Sequence, residues 1–194
     1  MLQNIQLEDN ADTGQIAKVN TLTDNPRSRF LVVAKPMRKL DQIDIDILET
    51  LQKEGRLTNV ALARQVGLSA TPCLERVKSL EAEGIIAGYS AHLSAPRLGL
   101  GLTAFIEVLL ERTSEETFGK FRAAVLNIPE IQECHMVAGG FDYLLKVRVA
   151  DMAAYRTFLG EVLGKVPGIR ETHSYAVMEE IKDSSAISLG HLRS

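Results

Sequence analysis

Residues 58–84, TNVALARQVGLSATPCLERVKSLEAEG, limit what this chain can fold into more than any other stretch. They read as two short helices around a tight turn. Thr58 or Asn59 caps the first helix, because a short side-chain oxygen satisfies the orphan N–H groups of an opening turn. Leu62, Ala63 and Val66 recur at helical spacing and give it one buried stripe. Gly67 tolerates a left-handed backbone and stops it. Ser69 caps the second helix, and Pro72 falls in its first turn, where a missing N–H has no intrahelical partner to lose. Cys73, Leu74, Val77 and Leu80 gather on one face, with Thr71, Glu75, Lys78 and Ser79 opposite and Arg76 on the flank. Gly84 closes the helix. A helix that is apolar behind and small, polar and partly basic in front suits the DNA major groove, which admits one helix. The same spacing also describes an ordinary helical hairpin with a solvated outer face.

The flanking sequence favours a three-helix unit. Residues 40–54 form a helix with Asp41 as cap, Asp44 three residues on, and Ile43, Ile47, Leu48 and Leu51 as its core stripe. Residues 85–93 alternate weakly and are expected to form a strand, a wing or linker. Ser94, Ala95 and Pro96 mark a boundary. From Gly101 the pattern becomes strand, helix, strand, twice: strands at 102–110, 131–137, 142–149 and 169–177, helices at 114–127 and after Asp151. Pro129, Ile131, Glu133 and His135 recur at a constant offset as Pro167, Ile169, Glu171 and His173. Two copies of one unit make a ferredoxin-like βαββαβ sandwich with helices on one face. The bare face is expected to show apolar side chains and so to call for a partner, most simply a second copy.

The net charge of −3 argues against a simple cationic DNA clamp. Local distribution matters more: Arg38, Lys39, Lys53, Arg56, Arg64, Arg76 and Lys78 can line one side of the helical unit, with Asp41, Asp44, Asp46 and Glu49 facing elsewhere. No apolar run is long enough for a membrane span. The N-terminus has no signal-peptide pattern, so a cytoplasmic site is expected. Cys73 and Cys134 read as packing residues in separate domains. The four histidines show no metal spacing, and a strand would send Cys134 and His135 to opposite faces. Gly99-x-Gly101 and residues 164–168 fit no nucleotide fingerprint. No cofactor, metal or catalytic constellation is expected.

Two strings, VGLSATPCLERVKSLEAEGIIAGY and IQECHMVAGGFDYLLKVRV, resemble the leucine-responsive regulatory protein (Lrp/AsnC) family. The resemblance runs from about residue 40 to residue 182. It implies an α+β chain: an N-terminal winged helix-turn-helix, then a C-terminal ferredoxin-like βαββαβ (RAM) domain. It implies double-stranded DNA as partner, dimers that assemble to octamers or similar, pairing of the 85–93 segment with a second subunit, and a free amino acid such as leucine as effector. The effector site falls between dimers on the loop around Gly139 and Gly140, where backbone N–H groups can hold a carboxylate and Asp142 an α-ammonium. The chain departs from the family at Gly140, usually an acid, and at His173, where close relatives tend to carry arginine. From the residues alone, Gly139 and Gly140 read as a turn with positive φ, and Asp142 as its cap.

The domains expected are 1–36, a flexible extension with Met37 as a candidate natural start; 37–93, the winged helix-turn-helix; 94–100, a linker; 101–182, the effector and oligomerisation domain; and 183–194, a tail. The DNA-binding candidates are Arg56, Asn59, Arg64, Ser69, Thr71, Pro72, Glu75, Arg76, Lys78 and Ser79. Among them the arginines meet phosphates, and Thr71, Glu75, Lys78 and Ser79 approach bases. The effector candidates are Met136, Gly139, Gly140, Phe141, Asp142, Met152, Tyr175 and Val177. The function expected is an amino-acid-responsive transcriptional regulator. The competing readings are a small ferredoxin-like enzyme and an amino-acid sensor without DNA activity.

Overall fold

The computed structural model describes residues 38–193. The extension at 1–36 and the candidate start at Met37 lie outside the described residues.

Three helices come first: α1 (Gln42–Lys53), α2 (Asn59–Gln65) and α3 (Ala70–Ala82). Asp41 caps α1 with a full capping box, accepting from the Asp44 N–H while the Asp44 side chain accepts from the Asp41 N–H. The Thr58 hydroxyl accepts from the Ala61 N–H and opens α2. Both later helices end in the same way. Gly67 and Gly84 sit at φ 71° and 73°, which lets the Leu68 N–H reach Ala63 O and the Ile85 N–H reach Leu80 O, satisfying carbonyls the helix leaves over. The core of this unit is thin: Ile45, Ile47, Leu48, Leu62, Ala63, Cys73 and Leu80.

Three expectations for this unit fail. Ile43 and Leu51 are only half-buried, because Ile45 takes the inward position. Leu74 is 41% exposed, so the stripe of α3 narrows to Cys73 and Leu80. Residues 85–93 form no strand. A strand needs a ladder partner, and within one chain this segment has none; it is pinned instead by the Tyr89 hydroxyl donating to Glu81 Oε1 at 2.9 Å.

The second region is one four-stranded antiparallel sheet in the order β2-β3-β1-β4, with β1 (Leu102–Leu110), β2 (Ile131–Met136), β3 (Tyr143–Val149) and β4 (Ile169–Ala176). Helix α4 (Glu115–Val125) and helix α5 (Met152–Thr157) cover one face. The second of these widens to a π-helical turn over Phe158–Val162 and tightens to a 3₁₀ turn at Leu163–Lys165. Registers of Ala104 with Val147, Ile106 with Leu145 and Val108 with Tyr143 place alternate residues inward. There they meet Phe121, Val125, Tyr155, Phe158 and Leu163 in one core. The Phe121 and Tyr143 rings pack 4.4 Å apart. Burial lifts the Tyr143 and Tyr155 hydroxyls above the ordinary tyrosine pKa.

The uncovered face is not the apolar sheet that was expected. Phe105, Leu109 and Leu144 are there, but registers put Glu107 opposite His173 and Lys146 opposite Glu133 on the same face. Arg148, only 9% exposed, donates to Gln132 and Glu180 across this face. A hydropathy reading sees the apolar runs of the inner strands β1 and β3, but Glu107, Lys146 and Arg148 on those strands join Glu133 and His173 of the edge strands on this one face.

Candidate functional site

On α3 the exposed residues Thr71, Leu74, Glu75 and Lys78 follow one another at helical spacing. Together with exposed Ser69 they form a single outward stripe. Ser69 occupies the N-cap in extended backbone, yet its side chain makes no capping hydrogen bond, so its hydroxyl remains open to another acceptor or donor. Pro72 is half-buried in the first turn. Ser79 is half-buried and donates to Glu83 Oε1 at 2.8 Å. Arg56 and Arg64 are exposed beside and on α2.

Two of the DNA-binding candidates are built into the unit instead. The Asn59 amide donates to Ala70 O at 2.7 Å, tying the start of α2 to the start of α3. Arg76 turns back to α1: one Nη lies 2.7 Å from Asp41 Oδ2 and 2.8 Å from Asp44 Oδ1. Those two hydrogen bonds raise its pKa further, so it stays charged. Asp44 is fully buried, and a buried carboxylate needs a paired cation. Spacing along α3 showed Arg76 on a flank; nothing in sequence says that the flank meets an acid 32 residues earlier.

The loop between β2 and β3 lines an open pocket of about 380 Å³ with Gly139, Gly140, Phe141 and Asp142. The chain following β1 supplies Glu111 and Arg112, and the start of β4 supplies Arg170. Sequence reasoning missed these three; each is a charged residue just past or at a strand end, a weak signal until the sheet order brings them together. Gly139 and Gly140 do not have positive φ, and a Cβ on either would meet nothing. The six-residue connection needs no tight primed turn, so backbone strain does not explain them. Asp142 Oδ2 accepts from the Leu110 N–H at 2.8 Å while its own N–H donates to Val108 O. It is a joint between the loop and β1, so at least one carboxylate oxygen is already engaged.

Met136 ends β2 next to this loop. Met152, Tyr175 and Val177 do not line the pocket. Tyr175 pairs with Phe105 and the Val177 N–H donates to Thr103 O, near the start of β1, whereas the pocket lies beyond its end at Leu110. Met152 follows β3 at that same far end. At about 3.3 Å per residue, a seven-residue strand separates the two groups by roughly 20 Å. One chain therefore does not assemble all eight effector candidates into one site. Among the described residues no three His, Cys, Asp or Glu side chains form a metal-binding group, and no helix is long and apolar enough to cross a membrane.

Comparison with known proteins places both regions. Residues 40–87 match the family model for a winged helix-turn-helix DNA-binding domain, and residues 103–187 that for the Lrp/AsnC ligand-binding domain. The leucine-responsive regulatory proteins of Salmonella typhimurium and Escherichia coli K12 are each 52% identical over 153 residues, covering 79% of this chain and 93% of theirs. A transcriptional regulator of Neisseria meningitidis, solved as a complex with L-Met, superposes with a TM-score of 0.76 at 42% identity, covering 79% of this chain and 99% of that one. An AsnC family regulator of Agrobacterium tumefaciens gives 0.75 at 34% identity, covering 78% and 99%. With one family model on each region and relatives this similar over nearly their whole length, the chain belongs to the Lrp/AsnC family of DNA-binding transcriptional regulators.

Proposed function

We propose that α3 reads duplex DNA through Ser69, Thr71, Leu74, Glu75 and Lys78, and that a free amino acid bound in the sheet domain tunes this binding. The observation that carries the reading is the division of α3. Its back is committed to Cys73, Leu80 and the Arg76 clasp, while the stripe from Thr71 to Lys78 is free of the unit's core. Exposed Leu74 lies among these polar groups and is suited to a thymine methyl, the one apolar mark in the major groove. Arg56 and Arg64 serve phosphates. Arg112, Arg170 and the unencumbered Gly139 and Gly140 backbone offer a carboxylate site, and Glu111 an ammonium partner, with Phe141 and Met136 nearby for the side chain. Met152, Tyr175 and Val177 join an effector site only from another copy. The chain acts as a homodimer that assembles further, in the cytoplasm and on the nucleoid, and not as an enzyme. Its working division is 37–93 for DNA, 101–182 for effector and assembly, with a linker at 94–100.

Fluorescence anisotropy on promoter DNA, across salt and with each amino acid added, tests this. Lys78→Ala is expected to weaken binding by roughly tenfold, about 1.4 kcal/mol and within the range of a good base contact. Arg170→Ala is expected to remove the amino-acid response and leave binding intact. Unchanged DNA affinity in Lys78→Ala together with Thr71→Ala would take α3 out of the groove.

A further inference from the structure

Past β4 the chain returns to the helical unit. The Ile187 N–H donates to Gln52 Oε1 at 2.6 Å, and the Ile187 carbonyl accepts from Gln52 Nε2 at 3.1 Å. A single 3₁₀ turn at Gly190–Leu192 then aims Arg193 at α1. Its Nη2 lies 2.9 Å from Asp46 Oδ1 and 2.8 Å from Glu49 Oε2, and its Nε donates to Glu49 Oε1 at 3.4 Å. Leu189 and Leu192 are half-buried in a segment otherwise exposed. Asp46, Glu49 and Gln52 recur every third residue, so they share one side of α1. Asp41 and Asp44, which hold Arg76 of α3, belong to a different side.

We propose that residues 187–193 are a strap whose docking on the Asp46–Glu49–Gln52 edge of α1 couples the ligand-binding domain to the DNA-reading helix. Each contact is exposed and singly weak. Together they are intramolecular, so the second forms at the high effective concentration set by the first. The strap's path is continuous in the chain, from β4 of the ligand domain to α1, and from α1 through a buried carboxylate to α3. A ligand that shifts β4 can thereby bias where α3 sits, provided it has different affinities for the docked and undocked states. Docking also brings Arg193 to Asp46 and Glu49, as Arg76 already serves Asp41 and Asp44. The two arginines offset half of the negative charge that these four acids would direct at DNA.

The coupling rests on the function proposed above, but the docking does not, and the two are read separately in the full chain. Hydrogen exchange by NMR is the first readout. Gln52→Ala and Arg193→Glu are each expected to speed exchange of the Ile187 amide at least tenfold, and pairing Arg193→Glu with Glu49→Arg is expected to restore part of the protection. Exchange in the wild type as fast as in an unstructured peptide, or unchanged in both variants, would overturn the strap. The second readout is DNA affinity with and without amino acid in Gln52→Ala, which alters no charge. The amino-acid-induced change is expected to shrink about threefold. A wild type that answers no amino acid refutes the functional reading and leaves docking to the exchange data. A wild type and variant that answer equally refute the coupling.

Discussion

The helical unit and the sheet domain solve the same problem of marginal stability with different means. The sheet domain buries Phe121, Tyr143, Tyr155 and Phe158 among Ile106, Leu145 and Val147. Each aromatic removes about 150–250 Å² from water. The helical unit, among the described residues, buries no aromatic ring and relies on a few aliphatic residues helped by polar joints: the capping box, the Asn59 bridge and the Arg76 clasp. A thin core has one functional advantage. It uses only one narrow stripe of α3, so the rest of that helix is left for a ligand as wide as a DNA groove. The stiff sheet, by contrast, offers its strand ends as a fixed platform for a pocket.

If that contrast is right, truncating an aromatic should hurt most. Phe121→Ala is expected to cost about 3–5 kcal/mol, the range for buried aromatic truncation, seen in urea unfolding followed by circular dichroism of the full chain. A loss below about 1 kcal/mol would mean the sheet core collapses around the hole and does not carry the domain. Next comes the clasp. Arg76→Ala leaves Asp44 charged and buried, and is expected to cost about 2–3 kcal/mol, less than a fully enclosed pair because Arg76 is partly exposed. Calorimetry should show this loss in the helical unit's transition and not in the sheet's. The salt dependence of DNA binding, measured where the variant is folded, should keep its slope, because this guanidinium is already used. A slope lower by about one ion would return Arg76 to the phosphate contacts.

The same contrast explains what could be read from sequence. The sheet domain's strands and helices follow from period and from the repeated Pro129 and Pro167 units, since each apolar residue signals its own burial. The caps at Thr58 and Asp41, and the turns at Gly67 and Gly84, are local and equally legible. What failed was the pairing of residues far apart. Asp44 completes the α1 capping box as its spacing implies, but Arg76 reads as a phosphate contact, and only the packing of α1 on α3 shows that it pairs with Asp41 and Asp44. Met152, Tyr175 and Val177 are apolar and suit an effector's side chain, but the single chain sets them and Gly139 at opposite ends of β1. The strand foreseen at 85–93 failed because a ladder cannot be made by one partner.

Glycines sharpen the contrast on a smaller scale. Gly67 and Gly168 both have positive φ, at 71° and 82°. A Cβ on Gly67 would meet open space, but one on Gly168 would lie 2.8 Å from Thr117 Cγ2. Gly67→Ala should therefore cost only the left-handed strain, about 1 kcal/mol, while Gly168→Ala adds a clash that the packed sheet domain cannot relieve by moving backbone. Thermal melts should rank Gly168→Ala as the worse of the two; Gly168→Ala paired with Thr117→Ser should recover most of the difference. Equal losses would show that the sheet domain yields as readily as the helical unit.

The two thiols give the finest test, one in each region. Cys73 is fully buried in the helical unit, and burial alone raises its pKa. Cys134 is exposed on edge strand β2, opposite Leu145; the protein beside it displaces enough water to push its thiol up to about 11, against a smaller opposing pull from Arg122. Both groups have folded pKa values above the ordinary 9.0, so their contribution to stability is full below pH 9 and fades as pH rises, for Cys134 toward pH 11. Because only the thiolate attacks, alkylation of Cys134 by iodoacetamide should be slow at pH 8 and quicken about tenfold per pH unit up to that value. Cys73 should react only when the helical unit opens. Its rate then reports the open fraction of that unit alone. Arg76→Ala should speed labelling of Cys73 while leaving Cys134 unchanged, because the clasp belongs to one region and the edge strand to the other. Acceleration of both thiols together would mean that the two regions unfold as one cooperative body, and the division of labour between thin core and thick core would have no thermodynamic counterpart.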